Sequence, residues 1–450
     1  MVTILPALRK VRKDLAGLLD RKAVEQACRD LGYTWRKRRL DPYATLHLFI
    51  LQVLHRNTAM THLPHLAGEW FTSSAYCQAR QRLPLAVFER VVNSFTRATV
   101  STQDATTGDA GRWRGHRVML IDGSTFSMPD TWELQAYFGQ PGAQRRGCGF
   151  PVAHLLAMID ADTGFLHDVI VSPLRTHDMA RAADLHPKLS AGDVVVADRG
   201  FCSYAHLALL SQENLHAVLR MHQRQIVDFH PHRLSSAEIA GTGIPTSRWV
   251  RRLGRCDQLV EWRKPEARPK WMTAEQFAAL PEKLVVREIK WRVRAPGCRV
   301  RKVTLVTTLL DAERYPAGEI AKLYGLRWQV EVDLRDLKTT LGLDVLKGQK
   351  VDTVLKEVQV YALVYNLVRL VTVQAARRQR VQPHRISFID ALRWLQPGKL
   401  DLPLPELIVN PQRTDRIEPR CLKRRPKQYP RMTRPRRELH KRLRKRRDAA

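Results

Sequence analysis

Four side chains between residues 324 and 338 have the types and the spacing to handle a phosphate or a metal ion: Tyr324, Arg327, Glu331 and Lys338. The segment lacks proline and has glycine only near its start. The preceding Ala317-Gly-Glu-Ile-Ala-Lys-Leu also reads as helix, so one helix is expected to carry the whole stretch. At about 100° per residue, Arg327 falls about 60° behind Tyr324, Glu331 about 20° and Lys338 about 40°. The four groups therefore share one narrow stripe. Asp333 lies opposite it and Asp336 points away, which leaves Glu331 as the one carboxylate among cations and a phenol. The bland alternative is a salt-bridged, solvated helix face. The rest of the chain decides between the two.

Two further acids stand where a sheet would end. Val118-Met-Leu-Ile-Asp122 is a short apolar run closed by an acid and followed by Gly-Ser-Thr, which reads as a buried strand with Asp122 at its exit. Asp193-Val-Val-Val-Ala-Asp198-Arg-Gly reads as another, ending in Asp198. Between them, Val152 to Met158 and Phe165 to Val171 are joined by Ile-Asp-Ala-Asp-Thr-Gly164, a hairpin turn. Asp178 to Leu189 reads as a helix. The order is three antiparallel strands, a crossover helix, and a strand returning in parallel. Acids at strand ends can open a polar site beside a buried sheet. Each alone is often only a turn residue; the turn accounts for Asp160 and Asp162, and strand entry for Asp193. Two Asp and one Glu offer the hard oxygen ligands that Mg²⁺ wants. Two such ions, about 3.5–4 Å apart, can activate an oxygen nucleophile and stabilise a leaving 3′ oxygen.

The spacing Tyr-x2-Arg-x3-Glu-x6-Lys, filled at Tyr324, Arg327, Glu331 and Lys338, resembles the motif of bacterial insertion-sequence transposases of the insertion-sequence-four type. Those are DDE enzymes, in which two Asp and one Glu hold the catalytic metals. The resemblance implies an α/β fold: a ribonuclease H-like catalytic core interrupted by an inserted β-rich domain, with a helical N-terminal domain and a basic C-terminal tail. In that fold the strands of Asp122 and Asp198 are neighbours. Asp122, Asp198 and Glu331 are then the catalytic residues and the ligands of two Mg²⁺ ions, with Mn²⁺ able to substitute. Asp122 is expected to bridge the ions, Asp198 to complete one site and Glu331 the other. Tyr324, Arg327 and Lys338 are expected to grip phosphates, Arg as a bidentate fork and Lys as a point charge, with Arg199 beside Asp198 as a further contact. The resemblance also implies the reaction. The protein binds the terminal inverted repeats of an element, cleaves to a free 3′-OH and joins that end to target DNA, without ATP or a covalent protein intermediate. Synapsis of two ends implies a homodimer on double-stranded DNA, away from membranes. Two alternatives remain: a nuclease of the same fold without strand transfer, and a transposase-derived DNA binder that has lost catalysis. Three intact acids argue against the second.

The elements around these residues fit a nucleic-acid partner. Lys and Arg number 76 against 44 acids, a formal charge of +32, which points to a polyanion. No aromatic-rich platform for RNA is evident. Met1-Val-Thr-Ile-Leu-Pro lacks the features of a secretory signal. The longest apolar stretch, Val358 to Val373, contains Gln359, Asn366 and Arg369 and reads as a buried helix. Seven scattered cysteines without a CxxC pair look like reduced thiols. The expected location is cytoplasmic, on the bacterial nucleoid.

Five divisions are expected. Residues 1–105 read as a helical DNA-binding or assembly domain, with basic clusters at Arg9 to Lys13 and Arg36 to Arg39. Its helix from Ser73, with Ser73 as cap, carries Arg80 and Arg82. Ser101 to Gly115 reads as a linker. Residues 116–221 form the first part of the core, including a polar loop whose Gln144-Arg-Arg146 is placed to meet a phosphate backbone. Residues 222–310 form the β-rich domain, because the stretch between Asp198 and Glu331 is too long for the bare fold. There Val285, Ile289, Trp291 and Val293 alternate with Glu288, Lys290, Arg292 and Arg294, an apolar face against a charged one. Some relatives use a tryptophan of this region to stack a flipped base; Trp249, Trp262, Trp271 and Trp291 are the candidates. Residues 311–400 complete the core. Residues 401–450 are a Lys- and Arg-rich tail expected to lie along DNA.

Overall fold

The apolar run that begins at Val118 does not stop at Asp122. In the computed structural model it continues as one strand, β1 (Val118–Ser127), so Asp122 stands mid-strand and not at the exit. Pairing is the reason. Gly123, Ser124 and Thr125 are held extended in antiparallel register with β2 (Val152–Asp160), opposite Leu156, Leu155 and His154. A tripeptide that looks like a turn locally is overruled by its neighbour. The structure describes residues 3–107, 112–142, 145, 147–225, 227–230, 244–293, 301–396, 403–410, 434, 438 and 441–442. Gln144, Arg146 and nearly all of the basic tail lie outside them.

β2 turns into β3 (Leu166–Pro173) as expected. Asp160 holds the turn: its Oδ1 accepts from the backbone N–H groups of Asp162 and Thr163 at 3.0 and 2.8 Å. β4 (Val194–Ala197) runs parallel to β1 with Ile121 opposite Ala197, and Asp198 follows at once. β5 (His216–Arg220), a strand not among those expected, adds in parallel to β4. The sheet then continues antiparallel. β9 (Arg301–Thr307) pairs with β5, followed by β8 (Lys283–Val293), β7 (Asp257–Arg263) and β6 (Thr246–Gly254). The order is β3-β2-β1-β4-β5-β9-β8-β7-β6. The β-rich stretch is thus spliced edge-on into the core sheet.

The two-faced reading of β8 is corrected by this arrangement. Val286, Arg287, Glu288 and Ile289 are all buried, while Val285 and Trp291 are exposed. The charges are tolerated because β7 answers them. Arg287 Nε donates to Asp257 Oδ1 at 2.7 Å, and Glu288 accepts from Gln258 Nε2 at 2.8 Å and Trp262 Nε1 at 3.3 Å.

The N-terminal region is helical: α1 (Leu5–Val11), α2 (Lys13–Gly17), α3 (Arg21–Asp30), α4 (Pro42–Leu54), α5 (Leu63–Ala67), α6 (Ser73–Arg82) and α7 (Leu85–Thr107). Asp41 starts α4, its Oδ1 accepting from Ala44 N at 2.8 Å ahead of a proline in the first turn. The cap of α6 is Thr72, one residue earlier than expected. Arg80 of α6 does not belong to a solvated basic face. It is buried, bonded to Gln52 Oε1 and Glu357 Oε1, each at 3.1 Å, with its guanidinium 3.7 Å from the Phe49 ring centroid. α7 runs on to Thr107, so the segment read as a linker opens as helix.

After β1 comes α8 (Trp132–Phe138). The helix expected from Asp178 to Leu189 is a single turn, α9 (Met179–Ala182), continued by a tighter 3-10 segment from Ala183 to Lys188, where Pro187 has no N–H to give. α10 (Tyr204–Gln212) precedes β5, α11 (Ala274–Ala278) precedes β8, and α12 (Ala317–Gly325), α13 (Arg327–Arg335), α14 (Val351–Gln379) and α15 (Phe388–Leu395) follow β9. α14 is the only described helix long and apolar enough to cross a membrane, and it is the buried helix expected. Its Asn366 docks on β3 through Leu166 N and O at 2.9 and 2.8 Å. Strand residues alternate between two cores. Val118 and Leu120 face the one built on α14 and the N-terminal helices, and Met119 and Ile121 the one under α10.

Candidate active site

That alternation aims Asp122 and Ser124 to the side that Leu120 faces, where α13 lies. Arg327 stands between two acids: its Nη1 is 3.6 Å from Asp122 Oδ2 and its Nη2 2.8 Å from Glu331 Oε1. The Tyr324 phenol donates to Asp198 Oδ1 at 3.3 Å, and Arg220, at the end of β5, brings Nη1 to 3.9 Å from the same oxygen. Lys338 Nζ donates to Ser124 Oγ at 2.8 Å. The three acids named from the sequence thus meet residues of the helical motif at one place. Arg199 turns elsewhere, donating from Nη1 to Gln223 Oε1 at 3.0 Å.

The motif does not ride on one helix. α12 ends at Gly325, and at Leu326 the bonding tightens: Leu326 N reaches Leu323 O at 3.0 Å and Gln329 N reaches Leu326 O at 2.7 Å. After α13 the chain widens into a π turn, Asp336–Thr340, closed by Leu341 N to Asp336 O at 3.0 Å. A π turn holds more residues per turn and so shifts the phase of the side chains it carries. Lys338 lies in it and reaches Ser124, two residues along β1 from Asp122. Of the two acids placed off the stripe, Asp333 is fully buried against Arg369, and Asp336 is buried with its carboxyl pushed up to about 6 by that burial.

Burial also pushes Asp122 up to about 6, and the charges of Glu331 and Asp198 add to the push; the Gly123 N–H at 2.8 Å and Arg327 pull the other way. Burial, then Asp198, push the Tyr324 phenol up to about 12, so it remains a donor at neutral pH. Burial lowers Lys338 below the usual lysine range. Among the described residues, no three His, Cys, Asp or Glu side chains stand close enough to share one ion as placed. The donor set nonetheless fits a hard divalent cation. It is all carboxylate oxygen, and a carboxylate disfavoured by burial and by two neighbouring anions is one that a cation stabilises.

Trp328 was not among the tryptophans expected to stack a base, all of which belong to the β-rich stretch. It is 61% exposed, next to Arg327, whose guanidinium lies 5.5 Å from its ring centroid. Of the four candidates, Trp262 is buried and bonded to Glu288, and Trp271 lines a cavity of about 270 Å³ with it. Trp291 packs over Gly318, whose added Cβ would stand 3.3 Å from the ring, and Trp249 is half-buried.

The family model described as transposase DDE domain matches residues 113–367. The chain is similar to the transposase InsG for insertion sequence element IS4 of Escherichia coli strain K12, 25% identical over 458 residues and covering 96% of each chain. It is also similar to the putative transposase InsZ of that organism, 28% identical over 141 residues, which span 31% of this chain and 46% of the other. Among solved structures it is similar to the piggyBac transposase in its synaptic complex with hairpin DNA, with a TM-score of 0.42 and 12% identity over 88% of this chain and 77% of that one.

Proposed function

Because this chain belongs to the DDE transposase family, in its insertion-sequence-four branch, we propose that Asp122, Asp198 and Glu331 are its catalytic carboxylates and hold its divalent ions. It is a DNA transposase, a metal-dependent enzyme that cuts and joins DNA. The observation that carries the assignment is the Arg327 guanidinium set between Asp122 and Glu331 while Tyr324 reaches Asp198. Bound there, Mg²⁺, or Mn²⁺ in its place, would activate an oxygen nucleophile and stabilise the leaving 3′ oxygen. Asp122, Asp198 and Glu331 would together supply the carboxylate oxygens that hold the ions. Tyr324, Arg327 and Lys338 hold phosphates beside the scissile bond: the phenol as a hydrogen-bond donor, the guanidinium as a fork, the ammonium as a point charge. Arg199 is left with a lesser share, and Arg220 is the better-placed cation beside Asp198.

The five strands β3-β2-β1-β4-β5 support reading residues 116–221 as the first part of a ribonuclease H-like core, completed by 311–400 and interrupted by the β-rich 222–310. The substrates are the terminal inverted repeats of an element and a target duplex, brought together by a homodimer on the nucleoid. A cavity of about 310 Å³ supports DNA contact by the N-terminal domain. Tyr33 and Trp35 line it with near-parallel rings 6.3 Å apart, together with Arg36, Arg38 and Arg82. None of these arginines has a carboxylate partner among the described residues, and Asp41 at the rim is taken by Arg21. The tail beyond residue 410 is assigned to the DNA backbone on its charge alone.

The test is cleavage of DNA bearing the element's own ends, with Mg²⁺, by wild type and by Glu331→Gln. The expected result is cleavage at the element boundary by wild type only, with both proteins binding and the cut 3′ end joining a second DNA. Cutting without joining would replace the reading with a nuclease. Binding without cutting by either protein would overturn the catalytic assignment.

A further inference from the structure

Asp333 is fully buried on the core side of α13, and its carboxylate pairs with Arg369 of α14. The pair sits in a chain of contacts. Gln329 Nε2 donates to Asp333 Oδ1 at 3.2 Å. Arg369 Nε donates to the Tyr365 hydroxyl at 2.9 Å, which donates to Gly164 O in the β2–β3 turn at 3.0 Å. A Cβ on Gly164 would stand 2.9 Å from Arg369 Cζ, so a side chain there would displace the guanidinium. Asp333 Oδ2 is buried and accepts no hydrogen bond among the described residues. Two charges taken this far from water are a poor source of stability beside packed apolar groups of similar volume. What they can supply is one defined geometry.

α13 needs that definition. Its backbone bonding tightens at Leu326 before it and widens into a π turn after it, so its phase is not that of one regular helix. Its buried apolar anchors are Val330 and Leu334. Two aliphatic side chains permit a helix to roll by a fraction of a turn, whereas an ion pair has one best angle. Asp333 stands about 200° around the helix from Glu331, so a roll at one moves the other by the same angle. We propose that the Asp333–Arg369 pair is a positioning device that fixes the rotation of α13 and with it the place of the Glu331 carboxylate beside Asp122. This rests on the reading of Glu331 as a metal ligand. Glu331 itself touches Arg327, so the effect passes through the helix backbone.

The test compares wild type with a D333L/R369M double variant, which substitutes an apolar pair, and with Tyr365→Phe, which keeps the ion pair and removes the hydroxyl behind it. Glu331→Gln is the reference. Each is measured for Tm, for affinity to element-end DNA in EDTA, for Mn²⁺ affinity without DNA by calorimetry, and for cleavage rate. The expected result for D333L/R369M is a Tm and DNA affinity close to wild type, with Mn²⁺ affinity and cleavage each lower by about tenfold. Tyr365→Phe shifts Mn²⁺ affinity the same way by about threefold. Wild-type Mn²⁺ affinity in the folded double variant would make the pair a packing feature and end the proposal. If the double variant does not fold, Tyr365→Phe decides on the same measurement. Should Glu331→Gln bind Mn²⁺ as wild type does, the ligand assignment fails, and that outcome is distinct from failure of the positioning role alone.

Discussion

Asp122 carries the electrostatic cost of the site. Its folded value of about 6 lies above the ordinary carboxylate value, so the folded protein binds the proton more tightly than the unfolded chain does. The stability it withholds is therefore absent below pH 4, grows as pH rises toward 6, and is constant above. In EDTA at pH 7, Asp122→Asn is expected to be more stable than wild type by about 1–3 kcal/mol, the gap closing near pH 4. Thermal unfolding of both proteins at the two pH values checks this, and a gap that widens on acidification would refute it. Arg327→Ala is expected to lower cleavage about 100-fold, since it removes the charge proposed to meet the phosphate, with Arg327→Lys restoring only part. Single-turnover cleavage under saturating DNA measures it. That these residues meet at one place was legible in the sequence from their types and spacing. Trp328 and Arg220 were not. A tryptophan inside a helical motif looks like a core residue, and Arg220 closes β5, a strand with no acid to mark it.

At the scale of elements, what the chain hid was whatever depends on partners far away in sequence. β1 runs past Asp122 only because β2 lies beside it, and the buried charges of β8 are answered from β7. The breaks at Leu326 and in the π turn escape a fixed 100° step, yet they decide where Lys338 points. α6 shows the same limit in two arginines that look alike on paper. Arg80 is buried against Glu357 and Arg82 lines the N-terminal cavity. Arg80→Ala is expected to cost about 3–5 kcal/mol of stability, by leaving a buried carboxylate unanswered. Arg82→Ala is expected to cost under about 0.5 kcal/mol. Denaturant unfolding separates them, and DNA affinity should respond to Arg82→Ala although stability does not. Equal stability losses would show that Arg80 has been misjudged.

At the scale of the molecule, the +32 charge is the property that composition stated outright. If the tail lies along phosphates, truncation after Asn410 is expected to flatten the fall of DNA affinity with salt, by roughly 0.9 in logarithmic slope for each phosphate no longer neutralised. Binding isotherms across a salt series give the slope, and an unchanged value would assign that neutralisation to the folded part. The splice at β5 and β9 has a different sort of consequence. Arg220 and Leu305 are directly opposite one another, so the chain leaves the central sheet and rejoins it at adjacent positions. Everything between is a closed excursion, whose length has no bearing on where α13 begins. A lineage can lengthen or trim the outer strands of that excursion without moving its acids apart in space, so the DNA it handles is free to diversify while the site stays put.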